Sequence, residues 1–151
     1  MLLVLDSGVL GHVITPRASG EAAQCQAWFR AHVETGTRFV VPEVVDYERR
    51  RGLIHGGKTR YLDRLDALVE AVLYLPLSTA TMRRAAALYA EALARGVRTA
   101  PRGALDVDVI LCAQARGLAE RAVVATTNVR HLAHFVEAAE WEAIPVPPAA
   151  P

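Results

Sequence analysis

Leu2-Leu3-Val4-Leu5-Asp6-Ser7-Gly8 is the stretch that decides the fold. Four apolar residues without alternation describe a strand covered on both faces, and Asp-Ser-Gly describes the turn beyond its end. Three runs of the same kind follow: Arg38-Phe39-Val40-Val41, Val72-Leu73-Tyr74-Leu75 and Ala122-Val123-Val124-Ala125, the last stopping at Thr126-Thr127-Asn128. Segments of helical period lie between them. Glu21–Glu34 repeats Ala22, Cys25, Trp28, Phe29 and Val33 and ends at Gly36. Pro42 opens a helix that should stop at Gly52, and Thr59–Glu70 is amphipathic. Ser78 caps Thr79–Ala94, which Gly96 ends. Leu105–Ala115 is apolar beyond its first turn, after a polar loop over 97–103. Short helices are expected at Val9–Ile14 and around Val129–Val136, and a last edge strand at Trp141–Val146. Alternating strands and helices imply an α/β domain with a short central parallel sheet and helices on both faces. One domain over 1–146 is expected, with a Pro-rich frayed tail at 147–151.

Composition is consistent with this. In 151 residues, 52% are apolar and 22% charged, enough to bury a core and too apolar for a disordered chain. A formal net charge of +1 gives the whole molecule little pull on nucleic acid, so any such contact must come from local basic patches. Cys25 and Cys112 have no metal-type spacing and sit in apolar contexts, which suggests a reducing compartment. Met1–Leu5 is apolar, but no basic segment precedes it and Asp6 follows at once. No run reaches the roughly 20 apolar residues of a membrane span. A cytoplasmic protein without a membrane partner is the expectation.

The acids cluster at strand ends. Asp6 follows the first strand, Glu48 lies in the helix after the second, and Asn128 follows the fourth. Open α/β sheets bind ligands outside the carboxyl ends of their strands. Asp106 and Asp108 open the apolar helix, whose N-terminus should face the same edge. Converging carboxylates repel one another, so one takes up a proton or a hard cation sits among them. Oxygen donors without His or Cys favour Mg²⁺ or Mn²⁺ over zinc. Each residue also has a plain structural role open to it. Asp6 and Asp106 could cap helices, Glu48 could pair with Arg49 or Arg51, Asp108 could complement the helix dipole, and Asn128 could serve a turn.

The order and spacing of four motifs resemble the PIN-domain family, close to the VapC-type toxins of bacterial toxin–antitoxin pairs. They are Leu-Leu-Val-Leu-Asp6-Ser, Glu48-Arg-Arg-Arg-Gly52-Leu, Asp108-Val-Ile-Leu-Cys-Ala-Gln-Ala, and Val123-Val-Ala-Thr-Thr-Asn128 with His131-Leu beyond. The resemblance covers nearly the whole chain. It implies a Rossmann-like PIN fold, Mg²⁺- or Mn²⁺-dependent endoribonuclease activity on RNA, a homodimer and a cognate antitoxin. By position it implies Asp6, Glu48 and Asp108 as the catalytic acids and metal ligands. Asn128 matches a fourth position, and Asp106 is an additional acid that could join if it precedes the helix proper. His131 stands where relatives often carry an acid and is not assigned as a ligand.

Two other classes compete. An aspartyl-nucleophile phosphohydrolase on a similar sheet commonly has a second Asp two residues after the first, where this chain has Gly8. A catalytically weak protein-binding module of PIN shape would be favoured by weak metal binding. Glu43 and Asp46 read as first-turn dipole acids, and Thr126, Thr127 and Ser7 could orient the carboxylates. Arg49-Arg50-Arg51, Lys58, Arg60, Arg98, Arg102 and Arg130 could contact phosphates or stay solvated. His131 and His134 lack a third zinc ligand, and Trp28–Phe29 reads as core or dimer interface rather than a base-stacking platform.

Overall fold

The computed structural model describes residues 1–97 and 102–148, with the side chains of 102–105 excepted. Arg98, the side chain of Arg102 and the tail from 149 onward lie outside the described residues.

Leu2–Leu5 forms β1, and all four residues are buried, as an unpatterned apolar run requires. It leads into α1 (Ser7–Ile14) and α2 (Gly20–Glu34). Arg38–Pro42 is β2, continued without a break by α3 (Glu43–His55), then by α4 (Thr59–Ala71) and β3 (Leu73–Leu75). After α5 (Thr79–Ala94) come α6 (Arg102–Arg116), β4 (Ala122–Thr126), the single-turn α7 (Val129–Leu132) and β5 (Ala138–Glu140). The strands form one parallel sheet in the order β3-β2-β1-β4-β5. Helices flank it, so the α/β expectation holds.

The register positions the site. Leu5 pairs with Ala125, which sets Asp6, just past the end of β1, beside Thr126, the last residue of β4. Val4 pairs with Val40, so β2 ends at the same edge and delivers α3 there. The core is aliphatic, built from Leu3, Leu5, Leu10, Val40, Val45, Leu65 and Val124, each almost wholly buried. One end is aromatic instead. Trp28 packs edge-on against Phe39, Trp141 and His32, and its Nε1 donates to Ile144 O at 3.1 Å. Trp28 is therefore a core residue. Cys25 and Cys112 are free and buried, and burial pushes both thiols up to about 12. Among the described residues no helix is long and apolar enough to cross a membrane.

Several boundaries differ from expectation, and three of them bear on the site or the core. Gly52 does not stop α3; the helix runs to His55 and ends at Gly56-Gly57, where Gly57 has φ +62°. One interior glycine costs about 1 kcal/mol and does not break a helix anchored by tertiary contacts. The last strand is Ala138–Glu140 rather than Trp141–Val146, because Trp141 turns into the aromatic cluster through a 3-10 turn over Trp141–Ala143. α6 begins at Arg102, so Asp106 and Asp108 both sit inside it.

Candidate active site

A cleft of about 360 Å³ opens at the carboxyl edge of the sheet, lined by Asp6, Glu48, Asp108, Thr126, Thr127, Asn128 and His131 over an apolar floor that includes Val45, Leu111 and Leu132. Four sequence-predicted residues, Asp6, Glu48, Asp108 and Asn128, meet there from four separate elements. Asp106 does not. It is exposed and outside the lining, because positions two apart on a regular helix point to different sides.

Asp6 fills its capping role and its cleft position together. Oδ1 accepts from Val9 N at 2.8 Å, closing the first turn of α1. Oδ2 accepts from the Thr126 hydroxyl and from Thr127 N at 3.3 Å. Burial raises the carboxyl above its ordinary range, opposed by the Thr126 hydroxyl and by the backbone N–H groups of Val9, Thr127 and Gly8. Thr126 is itself fully buried, and its oxygen accepts from Asn128 N at 2.9 Å. One hydroxyl thus ties the first acid to the turn that carries Asn128.

Glu48 reaches the cleft from the second turn of α3. Buried Gln114 sets that helix: its Oε1 accepts from Val44 N at 3.3 Å and its Nε2 donates to Leu75 O at 2.6 Å. α6 therefore holds both Asp108 and the start of α3. The Asp108 carboxyl is pushed up to about 6, first by burial and then by the charges of Glu48 and Asp6, with His131 pulling the other way. That mutual influence is the electrical sign of three acids sharing one cleft. His131 Nδ1 lies 3.8 Å from Asp108 Oδ2 and 3.4 Å from the Asn128 side-chain nitrogen.

The donor set suits a hard divalent ion: three carboxylates and an amide oxygen whose repulsion such an ion would relieve. Among the described residues no three His, Cys, Asp or Glu side chains already stand as a ligating group. Closing onto one ion requires side-chain rotation, and half-buried Glu48 has the rotatable length for it.

The arginine run separates into three roles. Arg49 donates from Nε and Nη2 to Ser7 O at 3.2 and 2.5 Å, clamping α3 to the turn after Asp6. Arg50 is consumed by Asp46 at 3.0 Å and Asp66 at 2.7 Å. Arg51 lies 5.2 Å over the Tyr47 ring. A trench of about 460 Å³ continues from Ser7, Gly8 and Glu48 past Arg49 and Gly52 to Lys58. Glu43 accepts from Leu77 N at 2.5 Å and Asp46 accepts from Tyr74 Oη at 3.0 Å, so both have structural work outside the cleft. His134 and Arg130 are exposed and outside the lining.

A second groove, between α1, α2 and α4, is mostly apolar. Its Gln26 and Arg64 are spent on carbonyls at the end of α1: His12 and Thr15 for the amide, Val13 and Ile14 for the guanidinium. No chemistry gathers there.

His131 also lines the cleft, although the sequence reading names it without assigning it as a ligand. Its signal was present in its position two residues beyond Asn128-Val129, but the direction of a one-turn helix depends on how buried Leu132 anchors it.

No family model and no curated protein matches the chain. Sixteen solved chains match in structure. VapBC2 from Rickettsia felis, solved bound to a DNA fragment from the promoter, superposes with a TM-score of 0.68 at 15% identity, covering 92% of this chain and 98% of that one. DNA-bound VapBC from Salmonella typhimurium gives 0.66 at 19% identity, covering 93% and 99%. FitAcB from Neisseria gonorrhoeae gives 0.67 at 17% identity, covering 94% and 99%. At these identities the likeness establishes the fold, a parallel sheet flanked by helices of the PIN type.

Proposed function

We propose that this chain is a metal-dependent endoribonuclease that cleaves RNA phosphodiester bonds and acts as the toxin of a VapBC-type pair. The observation that carries the proposal is the gathering of Asp6, Glu48 and Asp108 in one cleft, where burial first, and then the charges of Glu48 and Asp6, raise the Asp108 carboxyl. Asp6, Glu48, Asp108 and Asn128 would hold Mg²⁺ or Mn²⁺. Such an ion, when bound, neutralises the acids, polarises a phosphate oxygen and acidifies water.

The chain's own residues supply the rest. Thr126 and the N–H groups of Val9 and Thr127 fix the Asp6 carboxylate. Arg49 fixes the Asp6–Ser7 turn against α3, so Asp6 and Glu48 keep their separation. Lys58 and the Arg49 N–H groups not given to Ser7 line the trench beside the acids and offer positive charge to an RNA backbone. The apolar floor of Val45, Leu111 and Leu132 lowers the local polarity and strengthens each charge interaction.

Gly8 argues against the phosphohydrolase alternative. A side chain there would run into the Thr127 hydroxyl, so the second Asp of that chemistry fits only if Thr127 moves aside. The binding-module alternative is favoured by Asn128, which brings a neutral oxygen rather than a fourth charge to the cleft.

The antitoxin partner belongs to the same proposal, supported by the likeness to VapBC structures; the homodimer rests on the sequence resemblance alone. The test is incubation of purified protein with total RNA, with Mn²⁺ or with EDTA, beside Asp6→Asn. Cuts that need Mn²⁺ and vanish in the variant support the nuclease. Intact RNA in every lane, with no heat of Mn²⁺ binding, would leave the binding module.

A further inference from the structure

We infer that His131 is an imidazole ligand of the cation held in this cleft and tilts the site toward Mn²⁺ over Mg²⁺. The inference rests on the metal-site reading above and adds to it a nitrogen donor. His131 sits in α7, whose single turn follows directly from Asn128 at the end of β4. Leu132 is buried and anchors that turn, and His131 lines the cleft beside it. Its Nδ1 stands 3.8 Å from Asp108 Oδ2. That gap is too long for a hydrogen bond. It is short enough for two metal–ligand bonds of about 2.0–2.2 Å to span. The Asn128 amide approaches the same ring nitrogen at 3.4 Å, so carboxylate, amide and imidazole converge at one side of the cleft.

The identity of the donors sets the preference. Mg²⁺ takes oxygen ligands and gives up its waters reluctantly. A first-row transition ion such as Mn²⁺, though the weakest binder of its series, accepts an imidazole nitrogen more readily than Mg²⁺ does, and an imidazole brings no negative charge of its own. With Asn128 and His131 both lacking a carboxylate, the site offers three acids and two uncharged arms, which weakens its case for Mg²⁺ and leaves its case for Mn²⁺ intact.

The test uses the full chain with Mn²⁺ and Mg²⁺ in calorimetry, and pulsed electron paramagnetic resonance on the Mn²⁺-loaded protein. Wild type, His131→Ala, His131→Asp and Asp6→Asn are compared. The expected results are a directly bound ¹⁴N coupling in wild type, its loss in both His131 variants, and a Mn²⁺-over-Mg²⁺ affinity ratio that falls about tenfold in His131→Asp. His131→Asp keeps Mn²⁺ bound, which shows that the pocket is intact. Absence of the nitrogen coupling in Mn²⁺-loaded wild type, or an unchanged affinity ratio in His131→Asp, overturns the inference. If Asp6→Asn loses Mn²⁺ while wild type shows no nitrogen coupling, His131 alone is misassigned. If wild type binds no Mn²⁺, or Asp6→Asn binds it as tightly as wild type, the underlying metal site falls too.

Discussion

Replacing Asp108 by Asn should make the metal-free protein more stable at pH 7, at the expense of the cleft's chemistry. The carboxyl titrates at about 6 rather than at its ordinary 3.8. Its side chain is 24% exposed, so solvent screens it only in part. At 1.36 kcal/mol per pH unit, holding it ionised in the fold costs on the order of 3 kcal/mol. Asn keeps the shape and removes the charge, so the variant recovers that amount. For a domain of this size the gain raises Tm by about 6–12 °C. The sign with pH follows from a folded value lying above the unfolded one. The penalty is complete above about pH 6, shrinks as the carboxyl takes up its proton, and is gone below about 3.8. Wild type and variant should therefore converge in acid and diverge above pH 6. The assay is urea or thermal unfolding in EDTA from pH 4 to pH 8. A variant no more stable than wild type at pH 7, or a difference that does not change with pH, would refute the reasoning. Mn²⁺ at about a thousandfold excess over Kd should reverse the order, adding about 4.1 kcal/mol to wild type and much less to the variant.

Thr126→Val removes the hydroxyl that serves both Asp6 and Asn128 N, and should cost about 2–4 kcal/mol in unfolding while pushing the Asp6 carboxyl higher still, read by NMR titration of the side-chain carbon. Gln114→Leu leaves Val44 N and Leu75 O without their partner inside the fold, and should lower stability by about 2–4 kcal/mol in denaturant titration, with hydrogen exchange quickening first at the start of α3. Lys58→Ala should weaken RNA binding uniformly across sequences and reduce the salt slope of log K by about one, with folding unchanged; an unaltered slope would remove Lys58 from the RNA path.

The central strands were legible because each is a short apolar run with no polar face, and only a strand buried on both sides needs that. β5 was not legible. Ala138-Ala139-Glu140 has little strand preference of its own and pairs only because β4 offers it an edge. Trp141 carries the stronger strand signal, but it is drawn into contact with Trp28. The site was legible where position along the chain decides it: Asp6 and Asn128 follow strand ends whatever the packing. Asp106 shows the limit. The choice between capping and cleft turned on where α6 starts. His131 shows the other limit, since four helical residues have no periodicity from which to read a face.

The bond between Asp6 and Thr126 joins residues 120 positions apart. β1 pairs with β2 on one side and β4 on the other, yet β4 is the last of these three to leave the ribosome. During synthesis the first acid waits on a half-built sheet, without the hydroxyl that holds it and without the wall that carries Asn128. Whatever chemistry the cleft performs is thus withheld from the growing chain until nearly all of it has emerged.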